Sequence, residues 1–178
     1  MHFAFNGCKP RVGKETYASE SAQIIGNVAI GDNCYIGHGV ILRGDYGGII
    51  IGAGSAVEEG VVIHAPPGET AEIGERVTVG HGAIVHAKRI GSRAVIGMGA
   101  ILSIRSEVGD GTIIGEGAIV TMKQIIPPNV VALGNPAKIV REVNADDVAF
   151  WERAKLLYIN LAKNYLENGM KSVTPDAL

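Results

Sequence analysis

From Ile30 onward an aliphatic residue recurs about every six positions, usually followed by glycine. The series runs Ile30-Gly31, Ile36-Gly37, Leu42, Ile51-Gly52, Val57, Ile63, Ile73-Gly74, Val79-Gly80, Val85, Ile90-Gly91, Ile96-Gly97, Leu102, Val108-Gly109, Ile114-Gly115, Val120 and Ile126. A period of six suits neither a helix nor a long strand. It suits short strands joined by tight turns, each sending one small aliphatic side chain into a narrow interior. Three such strands close a turn of about 18 residues around a triangular prism. The pattern therefore predicts an all-β chain, a parallel β-helix of hexapeptide repeats; antiparallel hairpins would not keep a glycine-phased register over about one hundred residues.

Two breaks interrupt the register. Leu42 to Ile51 is nine residues, an insertion of three, and Ile63 to Ile73 is ten, an insertion of four. Both are expected to be loops leaving the prism. The second, Ala65-Pro66-Pro67-Gly68-Glu69-Thr70-Ala71-Glu72, carries turn residues and two carboxylates, as an excursion beside a site would.

Past the coil, the turn-rich stretch Gly134-Asn135-Pro136-Ala137-Lys138 leads into a predicted C-terminal α-helix. Asn144 is a good N-cap, Asp146 and Asp147 favour the positive helix start, and Asn168-Gly169 is a good stop. Val148, Trp151, Lys155, Tyr158, Leu161, Ala162 and Tyr165 follow helical spacing and form an apolar stripe with Lys155 as its one polar member. The stripe must bury, either along an outer face of the prism or a neighbouring subunit, or as a cap over an exposed strand edge. The chain thus divides into a β-helix domain over residues 1–141, with a short N-terminal segment, and a helix over 142–178 that packs on it.

Composition sharpens this picture. The 178 residues are 47% hydrophobic yet only 5% aromatic, with 25 glycines, which suits a narrow interior lined by small aliphatics. Sixteen Lys and Arg against 18 Asp and Glu leave a net charge of −2, so no nucleic-acid partner is expected. No apolar run reaches the roughly 18 residues of a spanning helix, and residues 1–11 lack a signal-peptide pattern, so no membrane partner and a cytoplasmic location are expected. Cys8 and Cys34 lie far apart, indicating neither a disulfide framework nor a thiolate zinc site. Any metal must rely on histidine or carboxylate.

Three of the five histidines, His64, His81 and His86, fall within 23 residues. His64 follows Ile63 and His86 follows Val85, the position just after the inward aliphatic, so both side chains point outward. Their separation of 22 residues, less the insertion of four, is 18, one full turn. His86 should therefore stack on His64 at the strand spacing of about 4.8 Å. Arg43 precedes His64 by 21 residues across the insertion of three, which again leaves 18. Arg43, His64 and His86 form one column. His81, two residues after Val79, projects from a different side and cannot join that column within its own chain. In a three-fold assembly of parallel prisms, His81 of a neighbour can complete the set, which implies a homotrimer with interfacial sites; spacing alone leaves a dimer open. Three neutral imidazoles suit Zn²⁺, Co²⁺ or Fe²⁺ and leave a coordination position for a water whose pKa the metal lowers. His2 and His38 show no such alignment, although His38 shares the phase of His81.

These features together resemble the gamma-class carbonic anhydrase family. They are the hexapeptide coil, Leu42-Arg43-Gly44-Asp45, Val57-Glu58-Glu59-Gly60-Val61-Val62-Ile63-His64, Val79-Gly80-His81-Gly82-Ala83-Ile84-Val85-His86 and the Gly-Asn-Pro-Ala-Lys exit. The resemblance covers nearly the whole chain, and the His-x16-His-x4-His spacing behind Arg-Gly-Asp is its most specific part. It implies a left-handed β-helix, against the usual crossover preference, which the pattern alone does not give. It implies His64, His81 and His86 as metal ligands, His81 from the adjacent subunit, and Arg43 and Asp45 as paired interface residues near the metal.

The chain departs from the family pattern in places. Glu58 stands where the best-known members have glutamine, Tyr46 stands where a glutamate follows Arg-x-Asp, and Pro67 replaces the proton-shuttling glutamate. Glu69 and Glu72 on that loop are candidate substitutes, although most loop carboxylates are merely solvated, and Tyr158 of the helix is a further candidate near the site. The reading is a metal-dependent enzyme that hydrates CO₂ to bicarbonate. The alternatives are a weakly active homologue, a metal-dependent acyl-CoA thioester hydrolase, a metal-free hexapeptide acyltransferase, and a non-catalytic trimeric scaffold.

Overall fold

The computed structural model describes residues 1–173. The helix segment expected over 142–178 is described as far as residue 173, and its last five residues lie outside the described residues. Parallel coils stack into a left-handed β-helix of about 7 turns, closed by one helix, α1 (Ala145–Asn168). No helix among the described residues is long and apolar enough to cross a membrane.

The three faces follow the hexapeptide phase. The first face ascends through residues 41–43, Val62–His64, Ile84–Val85, Ile101–Leu102 and Ile119–Val120, each strand paired in parallel with the next. The second ascends through residues 48–51, Thr70–Ile73, Arg89–Ile90, Glu107–Val108 and Ile125–Ile126. The third runs from Tyr17–Ala18 through Tyr35–Ile36, Ala56–Val57, Thr78–Val79, Val95–Ile96 and Ile113–Ile114 to Val130–Leu133, which also pairs antiparallel with Lys138–Glu142.

Every aliphatic residue of the series from Ile30 to Ile126 is buried in the single prism core. A second inward position, two residues earlier, takes smaller side chains such as Ala83, Ala94, Ala100 and Ala118. Where that position is polar it is satisfied: the Thr112 hydroxyl donates to the Pro127 carbonyl at 2.6 Å. The glycine after the aliphatic is required by close approach of the coils, because a Cβ on Gly97 would lie 2.5 Å from the Glu116 nitrogen one turn above.

The first register break is not a loop. Strand Ile41–Ile51 stays in the ladder and bends around the prism edge, pairing first with residues 62–64 and then with 70–73. Its neighbour Gln23–Ile30 bends beside it through a register shift between Gly26 and Val28. Glycine makes the bend possible: Gly26 has φ 72°, and a Cβ there would meet the Gly44 carbonyl oxygen at 2.4 Å. The second break does leave the coil, as a tight turn in which the Glu69 N–H donates to the Pro66 carbonyl and the Gly68 N–H to the Tyr46 carbonyl, each at 3.1 Å.

Helix α1 begins where expected, with a reciprocal capping box between Asn144 and Asp147, and stops at Gly169. It lies on the third face of its own chain, against the strands at residues 17–18, 35–36 and 56–57. The aromatic residues that the prism interior cannot hold collect in this seam. Tyr17 stacks on Tyr165 at 4.4 Å between centroids and on Tyr35 at 5.7 Å, and Tyr35 meets Tyr158 at 5.3 Å. The expected stripe buries through Lys155 and Ala162, but Val148 remains 53% exposed because it sits in the first turn, at the edge of the packed seam.

Candidate metal centre at the edge of the first face

The column predicted from spacing is present. Arg43 pairs in register with His64, and Ile84–Val85 with Val62–Ile63 places His86 directly above. The His64 and His86 ring centroids are 5.0 Å apart with planes at 70°. Arg43 Nη2 lies 3.0 Å from His64 Nε2, and Asp45 Oδ1 lies 3.4 Å from the same nitrogen, where it accepts the Nε2–H of the tautomer that leaves Nδ1 free, and 3.7 Å from Arg43 Nε. Asp45 reaches the site because strand Ile41–Ile51 turns the prism edge there, which also opens a cavity of about 270 Å³ lined by Asp45, Tyr46 and Glu69.

Both imidazoles are held neutral. Burial, then the Arg43 guanidinium, then His86 push the His64 pKa down; burial and Arg43 do the same at His86. Neutral imidazole is the ligating form, and His64 Nδ1 is a buried nitrogen with no hydrogen-bond partner. Such an orphan is a sign of a missing partner. The pair therefore fits a divalent ion as two of its ligands. Among the described residues no group of three or more His, Cys, Asp or Glu converges within the chain.

His81 lies elsewhere, two residues past strand Thr78–Val79, at the edge where the third face turns into the first. It is 46% exposed and clamped by two carboxylates: Nε2 is 3.1 Å from Glu58 Oε2, and Nδ1 is 2.9 Å from Glu59 Oε2. Its backbone N–H also donates to Glu58 Oε2 at 3.2 Å. Behind this clamp stands the aromatic seam. The Tyr35 hydroxyl donates to Glu59 Oε1 at 2.6 Å, and the Tyr158 hydroxyl hydrogen-bonds Glu58. Burial pushes the Glu58 carboxyl up, opposed by Tyr158 and by His81. At Glu59 burial acts upward, but the hydrogen bond from Tyr35 and the His81 ring outweigh it and hold the carboxyl low. Tyr158 is pushed well up by burial and by the neighbouring Glu58.

The seven candidate residues thus form two groups on opposite edges of the first face: Arg43, Asp45, His64 and His86 on one, Glu58, His81 and Tyr158 on the other. Between them the outward positions Ile41, Val62, Ile84, Ile101 and Ile119 make an aliphatic stripe, with Ile84 43% exposed. Glu69 is bound by Arg105, with Nε–Oε1 at 2.7 Å, and that contact lowers its pKa. This makes it a weak base and a poor proton carrier. Glu72 sits in strand Thr70–Ile73, beside Ile50 and Arg89.

Sequence reasoning missed the parts played by Glu59 and Tyr35, which no spacing rule links. One signal was available: along the edge that carries the column, the residue after the inward aliphatic is Arg43, His64, His86, Ser103 or Thr121, never glycine.

Comparison with known proteins agrees with this architecture. The family model described as bacterial transferase hexapeptide (six repeats) matches residues 9–44, and the hexapeptide repeat of succinyl-transferase matches residues 27–65 and 71–103. A carbonic anhydrase of Geobacillus kaustophilus is 38% identical over 165 residues, covering 93% of this chain and 91% of that protein. Carnitine operon protein CaiE of Escherichia coli is 35% identical over 152 residues, covering 85% of this chain and 77% of that protein. A crystal structure of a hexapeptide transferase family protein from Anaplasma phagocytophilum superposes with a TM-score of 0.88 at 30% identity, covering 93% of this chain and 98% of that one. With its stacked hexapeptide coils and 38% identity to a carbonic anhydrase over 93% of its length, the chain belongs to the gamma-class carbonic anhydrase-like family of hexapeptide-repeat proteins.

Proposed function

We propose that the protein is a metal-dependent enzyme that reversibly hydrates CO₂ to bicarbonate at the interfaces of a homotrimer, in the cytoplasm. The observation that carries this reading is the edge-to-face pair of neutral imidazoles, one above the other in the column, with the orphaned Nδ1 of His64 at the edge of an uncovered aliphatic face. Covering that face with a second protomer buries the stripe around Ile84 and brings the partner subunit's His81 toward His64 and His86. A divalent ion bound there, Zn²⁺ or else Co²⁺ or Fe²⁺, would supply Lewis acidity and lower the pKa of a water toward neutrality.

The chain's own residues do the rest. Arg43, 3.0 Å from the His64 ring, is cationic, so it favours neutral imidazoles and attracts the anionic product. Asp45 accepts from the Nε2–H of His64 and so orients the ring with its Nδ1 lone pair free for the ion. Glu58 and Tyr158 hold the strand-end backbone of His81, so the helix is coupled to the placement of that ring. Each hydration releases a proton, and with Pro67 in the loop and Glu69 tied to Arg105, Glu58 is the carboxylate best placed to accept it.

Metal analysis of the purified oligomer, combined with stopped-flow CO₂ hydration, tests the reading. Wild type is expected to bind about one ion per protomer and to turn over CO₂; His81→Ala should lose both metal and activity by at least roughly tenfold while keeping its fold. Absence of stoichiometric metal in the wild type would refute it. A second reading, metal-dependent hydrolysis of an acyl-CoA thioester or acyl transfer, is supported by the likeness to CaiE and to a hexapeptide transferase family protein. Stoichiometric metal without CO₂ turnover favours that reading.

A further inference from the structure

Lys155 is a charged residue with almost no exposure, 2%, in the seam between α1 and the third face. Its amine has neither an ion pair nor a hydrogen bond among the described residues, and it lies over the Trp151 ring, 5.7 Å from the centroid. It lines a cavity of about 150 Å³ whose walls include Val95, Ile113, Trp151, Arg93 and Glu152. Charge around this cavity does not balance. Arg76 pairs with Glu152, and Arg93 Nε reaches the same carboxylate at 3.9 Å. Asp147, also on the lining, is held by Arg141 with Nη2–Oδ1 at 3.0 Å. Arg93 and Lys155 lie on the cavity lining, and Glu152, the carboxylate between them on that lining, is already paired with Arg76, so Lys155 is left without a counter-charge.

We propose that Lys155 Nζ is a carbamylation site, where CO₂ is fixed as a carbamate. The unprotonated amine lone pair attacks the carbon of CO₂ and forms an N–C bond. One C=O π pair moves onto oxygen, and a proton leaves nitrogen for water, so that R–NH₂ + CO₂ gives R–NH–COO⁻ + H⁺. No oxidant or further reactant is needed. CO₂ is small and apolar enough to enter between Val95, Ile113 and Trp151, and the site supplies what the product needs. The carbamate replaces an unpaired cation with a carboxylate and offers acceptors to Arg93 on the same lining. Desolvation also depresses the pKa of Lys155 to about 8, which leaves a reactive fraction of free amine near neutral pH. The site lies about one helical turn from Tyr158, on the element that holds Glu58. The proposal requires only dissolved CO₂ and does not rest on the hydration activity.

The test uses intact protein equilibrated with ¹³C-labelled bicarbonate and CO₂. A carbamate resonance is read by ¹³C NMR, and the adduct is ethylated with triethyloxonium and located by peptide mass spectrometry. Occupancy at Lys155 is expected to exceed that at the exposed Lys88 and Lys163 at least roughly fivefold. The corresponding resonance should vanish in Lys155→Met, whose fold is checked by circular dichroism. A resonance that survives in Lys155→Met, labelling spread evenly over the lysines, or no resonance beyond that of the N-terminal amine overturns the assignment. Because no metal is required, failure here leaves the metal reading untouched, and failure of the metal reading leaves this one standing.

Discussion

The buried Lys155 makes stability depend on pH in a direction opposite to the usual basic-side loss. Burial is the largest influence on its amine and lowers the pKa from 10.5 to about 8; Glu152 acts the other way, while Arg76 and Arg93 add to the depression. Below about pH 8 both folded and unfolded chains carry the proton, and folding bears the full desolvation penalty. Between about 8 and about 10.5 the unfolded chain binds more protons than the folded one, so stability rises with pH. Integrating that difference from about pH 7.5 to about pH 9.5 gives a gain on the order of 2 kcal/mol. The buried thiol of Cys34 and the hydroxyls of Tyr35 and Tyr158, all pushed up by burial, oppose the gain on the alkaline side, because they ionise more readily in the unfolded chain. Those groups are common to wild type and Lys155→Met. The decisive quantity is therefore the difference between the two proteins, measured by urea denaturation across that range in CO₂-free buffer. Lys155→Met should be the more stable at neutral pH, and its advantage should shrink by about 2 kcal/mol as pH rises. A constant gap would show that the amine is not desolvated in the folded state and would refute the reasoning.

Two further outcomes bear on the fold and the assembly. Leu102→Ala removes a fully buried side chain from the middle of the prism, where stacked coils above and below leave little room to collapse; a loss of about 2–5 kcal/mol in denaturant stability is expected. Ile84→Glu places a charge at the centre of the aliphatic stripe on the first face. If the proposed trimer forms through this face, the variant should sediment as a monomer and bind less metal in parallel. A trimer that persists with Ile84→Glu would move the interface to another face.

The amino-acid order alone determined the coil, though not its hand, because a six-residue aliphatic phase with glycine at the stacking position suits a small-bored closed prism of short strands. Each residue of that series lies in the core, and the helix starts and stops at the caps read from the chain. The column of Arg43, His64 and His86 was legible for the same reason, since parallel coils convert sequence distance into height once insertions are subtracted. Tertiary structure alone decided the rest. The insertion at residues 42–51 stayed in the ladder because glycines on two adjacent strands bend together, a cooperation no single segment reveals. The Tyr35–Glu59–His81 contacts and the partnering of Glu58 with Tyr158 depend on which face the helix selects, and that face is set by aromatic packing between segments far apart in the chain. Lys155, which reads in sequence as a polar interruption of an apolar stripe, becomes an unpaired amine lining a cavity only because the helix lays it against the third face, beside Trp151 and Arg93. Periodicity is a property of the chain, whereas desolvation and charge balance belong to the surfaces that folding brings together.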